Sequence, residues 1–243
     1  MTTLIGMKVK EPYNAVVLGS DIQASYKEPL ETPGATLHIE KKMYVPKIFA
    51  TPDEDMAIAM AGAATEEYQA FKNNILGASQ DLKFDFREDL TKGFSSTIRD
   101  LNFSSSTRNG YGDYNLNDTF FLLVAYAKDD DVELYRVSNS GKIFNIPAKA
   151  MGSGENYASD WINVIMNKSL YPKEAKSELA KATYLVMAGL DEAINIDKHS
   201  SGKDVVIVSN KGIENITQEM YKELSELEWK KRMKIINGLN QSF

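Results

Sequence analysis

The sequence predicts an α+β fold in which two antiparallel sheets carry helices on their outer faces. Its strand-like segments come in blocks, running strands, helices, strands, helices, strand and a terminal helix. That order argues against a doubly wound parallel sheet, where strands and helices alternate singly. Each helical segment also carries an apolar stripe, which needs a sheet face or another helix to cover it. No Gly-x-Gly-x-x-Gly run and no phosphate-loop lysine motif is present.

The totals narrow the function classes. A length of 243 residues fits a single domain over 1–243. No stretch reaches the roughly 20 uninterrupted apolar residues of a membrane helix, so no membrane partner is expected. The chain has no cysteine, which excludes disulfides, thiolate catalysis and thiolate metal sites and fits a reducing, cytoplasmic setting. A net charge of -6 with no long Lys/Arg cluster argues against a nucleic-acid surface. His38 and His199 are the two histidines, so an imidazole metal site is not expected either.

The elements follow in order. Leu4–Val9 and Ala15–Ser20 are short apolar runs that read as a hairpin, and Asp21 ends the second beside the chain start. Residues 22–40 are mixed, and Pro29, Pro33 and Gly34 mark them as loop. Met43-Tyr44-Val45, continuing through Lys47-Ile48-Phe49, pairs with Met56–Ala61 across the polar turn at 51–55. Thr65 to Gln80 and Leu82 to Leu101 are helical by composition, and Ser104 to Asn117 is a polar loop. Phe120–Tyr126 and Val132–Val137 are strands, followed by a turn into Ile143–Ile146.

Tyr157, Trp161, Val164 and Ile165 form a helical stripe, and Pro172 opens the next helix in its favoured first turn. That helix buries Ala175, Leu179, Ala182, Val186 and Ala193 and ends before Asp197. Asp204–Ser209 is a strand, and Thr217 to Asn237 is a last amphipathic helix.

The chain start carries chemistry of its own. Met1-Thr2-Thr3 runs without spacer into the first strand, with no leader expected ahead of it. Removing one methionine leaves a threonine that holds both a hydroxyl nucleophile and a free amine to act as its base.

Five segments in order resemble the catalytic β-subunits of the proteasome, threonine hydrolases of the N-terminal-nucleophile class. They are Thr2-Thr3-Leu4-Ile5-Gly6, Val17-Leu18-Gly19-Ser20-Asp21, Lys47-Ile48 with Ala59-Met60-Ala61-Gly62-Ala63-Ala64, Gly152-Ser153-Gly154, and Asp197-Lys198-His199-Ser200-Ser201-Gly202 leading into Asp204-Val205-Val206-Ile207. The resemblance implies a four-layer αββα sandwich, the Ntn-hydrolase fold.

It also implies a site. Thr2 is the nucleophile, Lys47 lies beside it and Asp21 pairs with Lys47. Ser153, Asp197 and Ser200 hold the amine and a water, and the Gly62 N–H donates to the oxyanion. The substrate lies as an added strand between Ser25 and the Gly62 segment, with Ala24, Val45, Met60, Ala64 and Tyr68 walling an apolar pocket. The implied function is a threonine endopeptidase acting on peptides or unfolded protein, assembled as a homo-oligomeric ring or ring pair, with no cofactor or metal. Alternatives with the same fold are a transpeptidase or protein ligase using the same acyl-enzyme, and a catalytically silent ring or scaffold subunit.

The chain departs from the family at several points. Gln23 stands where an arginine is common, Ser201 interrupts a glycine pair, and the regions 22–46 and 73–118 are enlarged. The last two fall where family members contact neighbouring rings or shape the substrate channel.

Overall fold

The computed structural model describes residues 2–10, 12–32, 35–51, 54–61, 72–73, 121–128, 131–138, 142–173, 175–197 and 201–216, apart from the side chains of residues 24–42, 121 and 128. The first hairpin pairs as the apolar pattern predicts: β1 (Thr3–Val9) lies antiparallel to β2 (Ala15–Asp21), with Leu4 opposite Ser20.

Between the chain start and the second sheet, the stretch 22–40, read as loop, gives rise to two long strands instead, and Met43 and Tyr44 complete the second of them rather than pairing with Met56–Ala61. These are β3 (Gln23–Thr32) and β4 (Ala35–Tyr44), paired without a bulge from Gln23↔Tyr44 to Thr32↔Ala35. Pro29 within β3 hid them, since proline in a strand is tolerated only where its nitrogen faces away from the partner.

The second sheet is built from β5 (Ile48–Ala50), β6 (Met56–Ala61), β7 (Phe121–Lys128), β8 (Asp131–Val137) and β9 (Ile143–Asn145), in that order. The first sheet runs β10-β1-β2-β11-β12, where β10 is Ala148–Gly152, β11 is Lys203–Ser209 and β12 is Gly212–Asn215. Neither β10 nor β12 announces itself by alternation, because each is short, β10 lacks any β-branched residue and β12 is half polar.

Period-two alternation makes the layers. Leu4, Val16, Leu18, Val206 and Val208 point at Ala57, Ala59, Leu123 and Leu134 of the facing sheet. Their neighbours Ile5, Val17 and Val205 point outward onto two helices, α1 (Glu155–Asn167) and α2 (Glu178–Ile196). On the far face of the second sheet Phe49, Ile58, Met60, Leu122 and Val124 form a third buried cluster. Lys72, in a helical segment, sets its ammonium over the Phe49 ring at 5.8 Å. Two antiparallel sheets flanked by helices are therefore the architecture, as predicted.

Two helix expectations need correction. The buried face of α1 is Ala158, Ile162 and Ile165, one residue round from the predicted stripe, and Tyr157 is exposed. Pro172 lies before α2, which starts at Glu178 because the Ser177 hydroxyl accepts the Ala180 N–H at 3.1 Å. The enlarged region 73–118 beyond residue 73, the helices expected at Thr65–Gln80 (apart from residues 72–73) and Leu82–Leu101, the loop expected at Ser104–Asn117 and the last helix at 217–237 lie outside the described residues.

The helix layer sits close on the sheet. A Cβ at Gly19 would lie 2.5 Å from Val186 Cγ1 and 2.9 Å from Leu190 Cδ1, both on α2. Gly19→Ala is accordingly expected to destabilise the fold by about 1–3 kcal/mol through overpacking, read as a lower denaturant midpoint at unchanged slope.

Candidate active site

The residue before β1, the end of β2 and the residue before β5 meet at one buried point. Thr2, Asp21 and Lys47 are 7%, 0% and 6% exposed. Lys47 Nζ donates to Thr2 Oγ1 at 2.6 Å, to Asp21 Oδ2 at 2.8 Å and to the Gln23 carbonyl. An ammonium has three protons, and these three acceptors take all of them. Asp21 is as fully engaged: Oδ1 accepts the Thr3 N–H at 2.7 Å, and Oδ2 accepts the Gln23 N–H at 3.2 Å besides Lys47. A carboxylate that only accepts and an ammonium that only donates is the arrangement of an ion pair.

Burial pulls on both partners. Desolvation pushes the Asp21 carboxyl above its usual range, against the opposing attraction and hydrogen bond of Lys47 and the N–H groups of Thr3 and Gln23. It pulls the Lys47 ammonium below the usual lysine range, against the attraction of Asp21 and, more weakly, of Asp197. Lys47 is thus a buried cation whose hold on its proton is weakened by desolvation, in contact with a hydroxyl.

The second half of the site holds Thr2 from the other side. β10 pairs Gly152 with Thr3, and the Ser153 N–H donates to the Thr2 carbonyl at 3.0 Å. Gly152 has φ +97, and a Cβ there would sit 1.8 Å from the Thr2 oxygen. A Cβ on Gly154 would lie 2.2 Å from Thr3 Oγ1. Both glycines are therefore demanded by contact with the first residues of the chain, which is the physical content of the Gly-Ser-Gly signature. Ser153 Oγ donates to Asp197 Oδ2, and Asp197 follows α2 directly.

The other expected residues divide into three groups. Val45 and Met60 join one apolar cluster with Phe49; Met60 is 1% exposed, and its N–H donates to the Lys47 carbonyl at 2.9 Å. Ala24 and Ser25 lie on β3, and their side chains are outside the described set. Gly62, Ala64, Tyr68 and Ser200 lie outside the described residues altogether.

Gln23 and Thr3 were missed. Their contribution is a backbone carbonyl and a backbone N–H, which no residue type signals. The Gln23 side chain, where the family often has arginine, is buried with its Nε2 unbonded among the described residues. No group of three or more His, Asp or Glu among the described residues could hold a metal ion. No helix among them is long and apolar enough to cross a membrane.

Removing one member of this pair leaves the other charge buried and unmatched. Asp21→Ala should cost about 3–5 kcal/mol of stability, measured by denaturant unfolding. The double variant Asp21→Ala, Lys47→Met should cost less than the two single losses added together.

The family model described as proteasome subunit matches residues 2–208. No curated protein matches the chain. Among solved structures it is similar to "Anbu (ancestral beta-subunit) from Yersinia bercovieri", at 13% identity and a TM-score of 0.66, over 98% of this chain and 96% of that one. At that identity the likeness is one of fold.

Proposed function

The chain belongs to the proteasome subunit family, and from that premise we propose that it is a threonine peptidase whose nucleophile is Thr2, exposed as a free amine once Met1 is removed. The observation that carries this reading is the 2.6 Å contact from the Lys47 ammonium to Thr2 Oγ1. A cation at that distance stabilises the developing alkoxide, and Asp21 keeps the cation charged.

In the proposed reaction the Thr2 hydroxyl proton passes to the α-amine while Oγ1 attacks a peptide carbonyl. The tetrahedral intermediate collapses as the C–N bond breaks, and the α-ammonium returns its proton to the leaving amine. Water, deprotonated by the same amine, then attacks the ester carbonyl; the acyl C–Oγ1 bond breaks, the α-ammonium returns its proton to Thr2 Oγ1, and the new carboxyl product leaves. Ser153 and Asp197 hold the amine side of the site, with Ser200 proposed as their partner. Gly62 is the proposed oxyanion donor. The apolar wall at Val45 and Met60, completed by Ala24, Ala64 and Tyr68, favours a hydrophobic or uncharged residue before the cleaved bond. No cofactor enters.

The family premise supports assembly as a homo-oligomeric ring or ring pair acting on unfolded protein in the cytoplasm. A transpeptidase that resolves the acyl-enzyme with an amine uses the same atoms, and a silent ring subunit keeps the same fold. The fold likeness to an ancestral β-subunit serves either of these as well as it serves a peptidase.

The deciding experiment begins with the N-terminus of the purified protein by mass spectrometry, followed by a peptide epoxyketone. Met1 removed, Thr2 labelled and labelling lost in Thr2→Ala is the expected result. Met1 retained in every molecule, or no labelling of the processed chain, leaves the silent ring subunit. An added amine appearing in the product in place of water assigns ligation.

The pH profile tests Lys47 separately. Because burial lowers its pKa, the proton needed on the ammonium is lost early, and kcat/KM should fall on the alkaline side below the ordinary lysine range. In Asp21→Asn the carboxylate that holds the proton on is gone, so the alkaline limb should move lower still.

A further inference from the structure

The geometry points to β3 as a measuring edge for the substrate, one that reads main chain out to Lys27 and is closed by Pro29; this rests on the peptidase reading above. In an antiparallel strand the N–H and C=O of one residue point to the same side, and successive residues alternate. The side is fixed at the root of the hairpin. Ile22 turns its carbonyl to the β4 side, where it accepts the Val45 N–H at 2.7 Å. Gln23 turns both of its groups the other way, its N–H to Asp21 Oδ2 and its carbonyl to Lys47 Nζ.

The register from Gln23↔Tyr44 to Thr32↔Ala35 has no bulge, so the alternation is unbroken. Ser25, Lys27 and Pro29 therefore present their backbone to the same edge as Gln23. That edge begins at the ammonium that touches Thr2 Oγ1. Pro29 fits independently: a strand proline is tolerated where its nitrogen faces an unpaired edge.

Gln23 is already spent on Asp21 and Lys47. Among the described residues no backbone bond takes up the outward groups of Ser25 or Lys27. An extended polypeptide laid there gains up to four main-chain hydrogen bonds, two at each residue. At Pro29 only a carbonyl remains, and the ladder stops.

Every described strand pair in this protein is antiparallel, and an antiparallel substrate has its N-terminal part running out along β3. With the attacked carbonyl's residue level with Gln23 and counted as the first before the cleaved bond, the third faces Ser25, the fifth faces Lys27 and the seventh faces Pro29. The ligand class is an extended, sequence-tolerant polypeptide with about five residues before the cleaved bond.

The test uses the processed full chain and fluorogenic peptides extended one residue at a time on their N-terminal side. kcat/KM should rise about three- to tenfold for each pair of residues added and level off at about five. In Pro29→Ala, which restores an N–H to the edge, the rise should continue to about seven. Two results overturn the inference while the peptidase reading stands: a kcat/KM indifferent to length in protein whose Thr2 is labelled by a short epoxyketone, or the same plateau in Pro29→Ala as in the parent. Failure of Thr2 to be labelled at all removes the peptidase reading, and the inference with it.

Discussion

Three hydrogen bonds from one ammonium hold together parts of the chain that share no strand. Lys47 ties the residue before β1, the last residue of β2 and the first residue of β3 to the segment entering β5. A buried ion costs several kcal/mol in desolvation, and this one is tolerated because each proton has an acceptor and Asp21 has N–H donors of its own. The same desolvation weakens the hold of Lys47 on its proton. The packing that makes the pair costly also sets a weakly held proton beside the Thr2 hydroxyl.

Around that pair the remaining contacts set position. The left-handed Gly152, the Ser153 N–H and the bare Cα of Gly154 let the chain after β10 close onto Thr2 and Thr3 without a side chain between them. On the helix-bearing face of the sheet Gly19 lets α2 approach β2, the strand that ends in Asp21. Both are close approaches of backbone to backbone or helix, and a methyl group would separate the layers.

Much of the architecture was legible because it rests on alternation. Leu4/Ile5 and Val16/Val17 announce a strand covered on both faces, and Ala182, Val186 and Ala193 announce the side of α2 that packs down. Thr2, Asp21 and Lys47 were legible as a set through their place in five ordered segments; spacing alone would not have joined them. What stayed hidden did so for physical reasons. Pro29 made a ten-residue strand look like loop, because proline forbids one side of a strand and leaves the other free. β10, Ala-Lys-Ala-Met-Gly, has no β-branched residue and takes its strand form from β1. Ala158 is too small to mark a stripe, so the larger Tyr157 drew it one position round the helix. Gln23 acts through its carbonyl, which every residue possesses.

The pairing of β1 has a consequence for how the protein comes into being. One of its neighbours, β2, lies next in sequence, but the other is β10, and Asp197 stands further along still. Contacts between such distant parts of a chain form late and slowly, since a large loop must close before any reward is gained. A chain still emerging from the ribosome, or one only partly collapsed, lacks the Gly-Ser-Gly clasp that orients its second residue. The arrangement around Thr2 is therefore completed only when the tertiary structure is, because its two halves come from widely separated stretches of the chain.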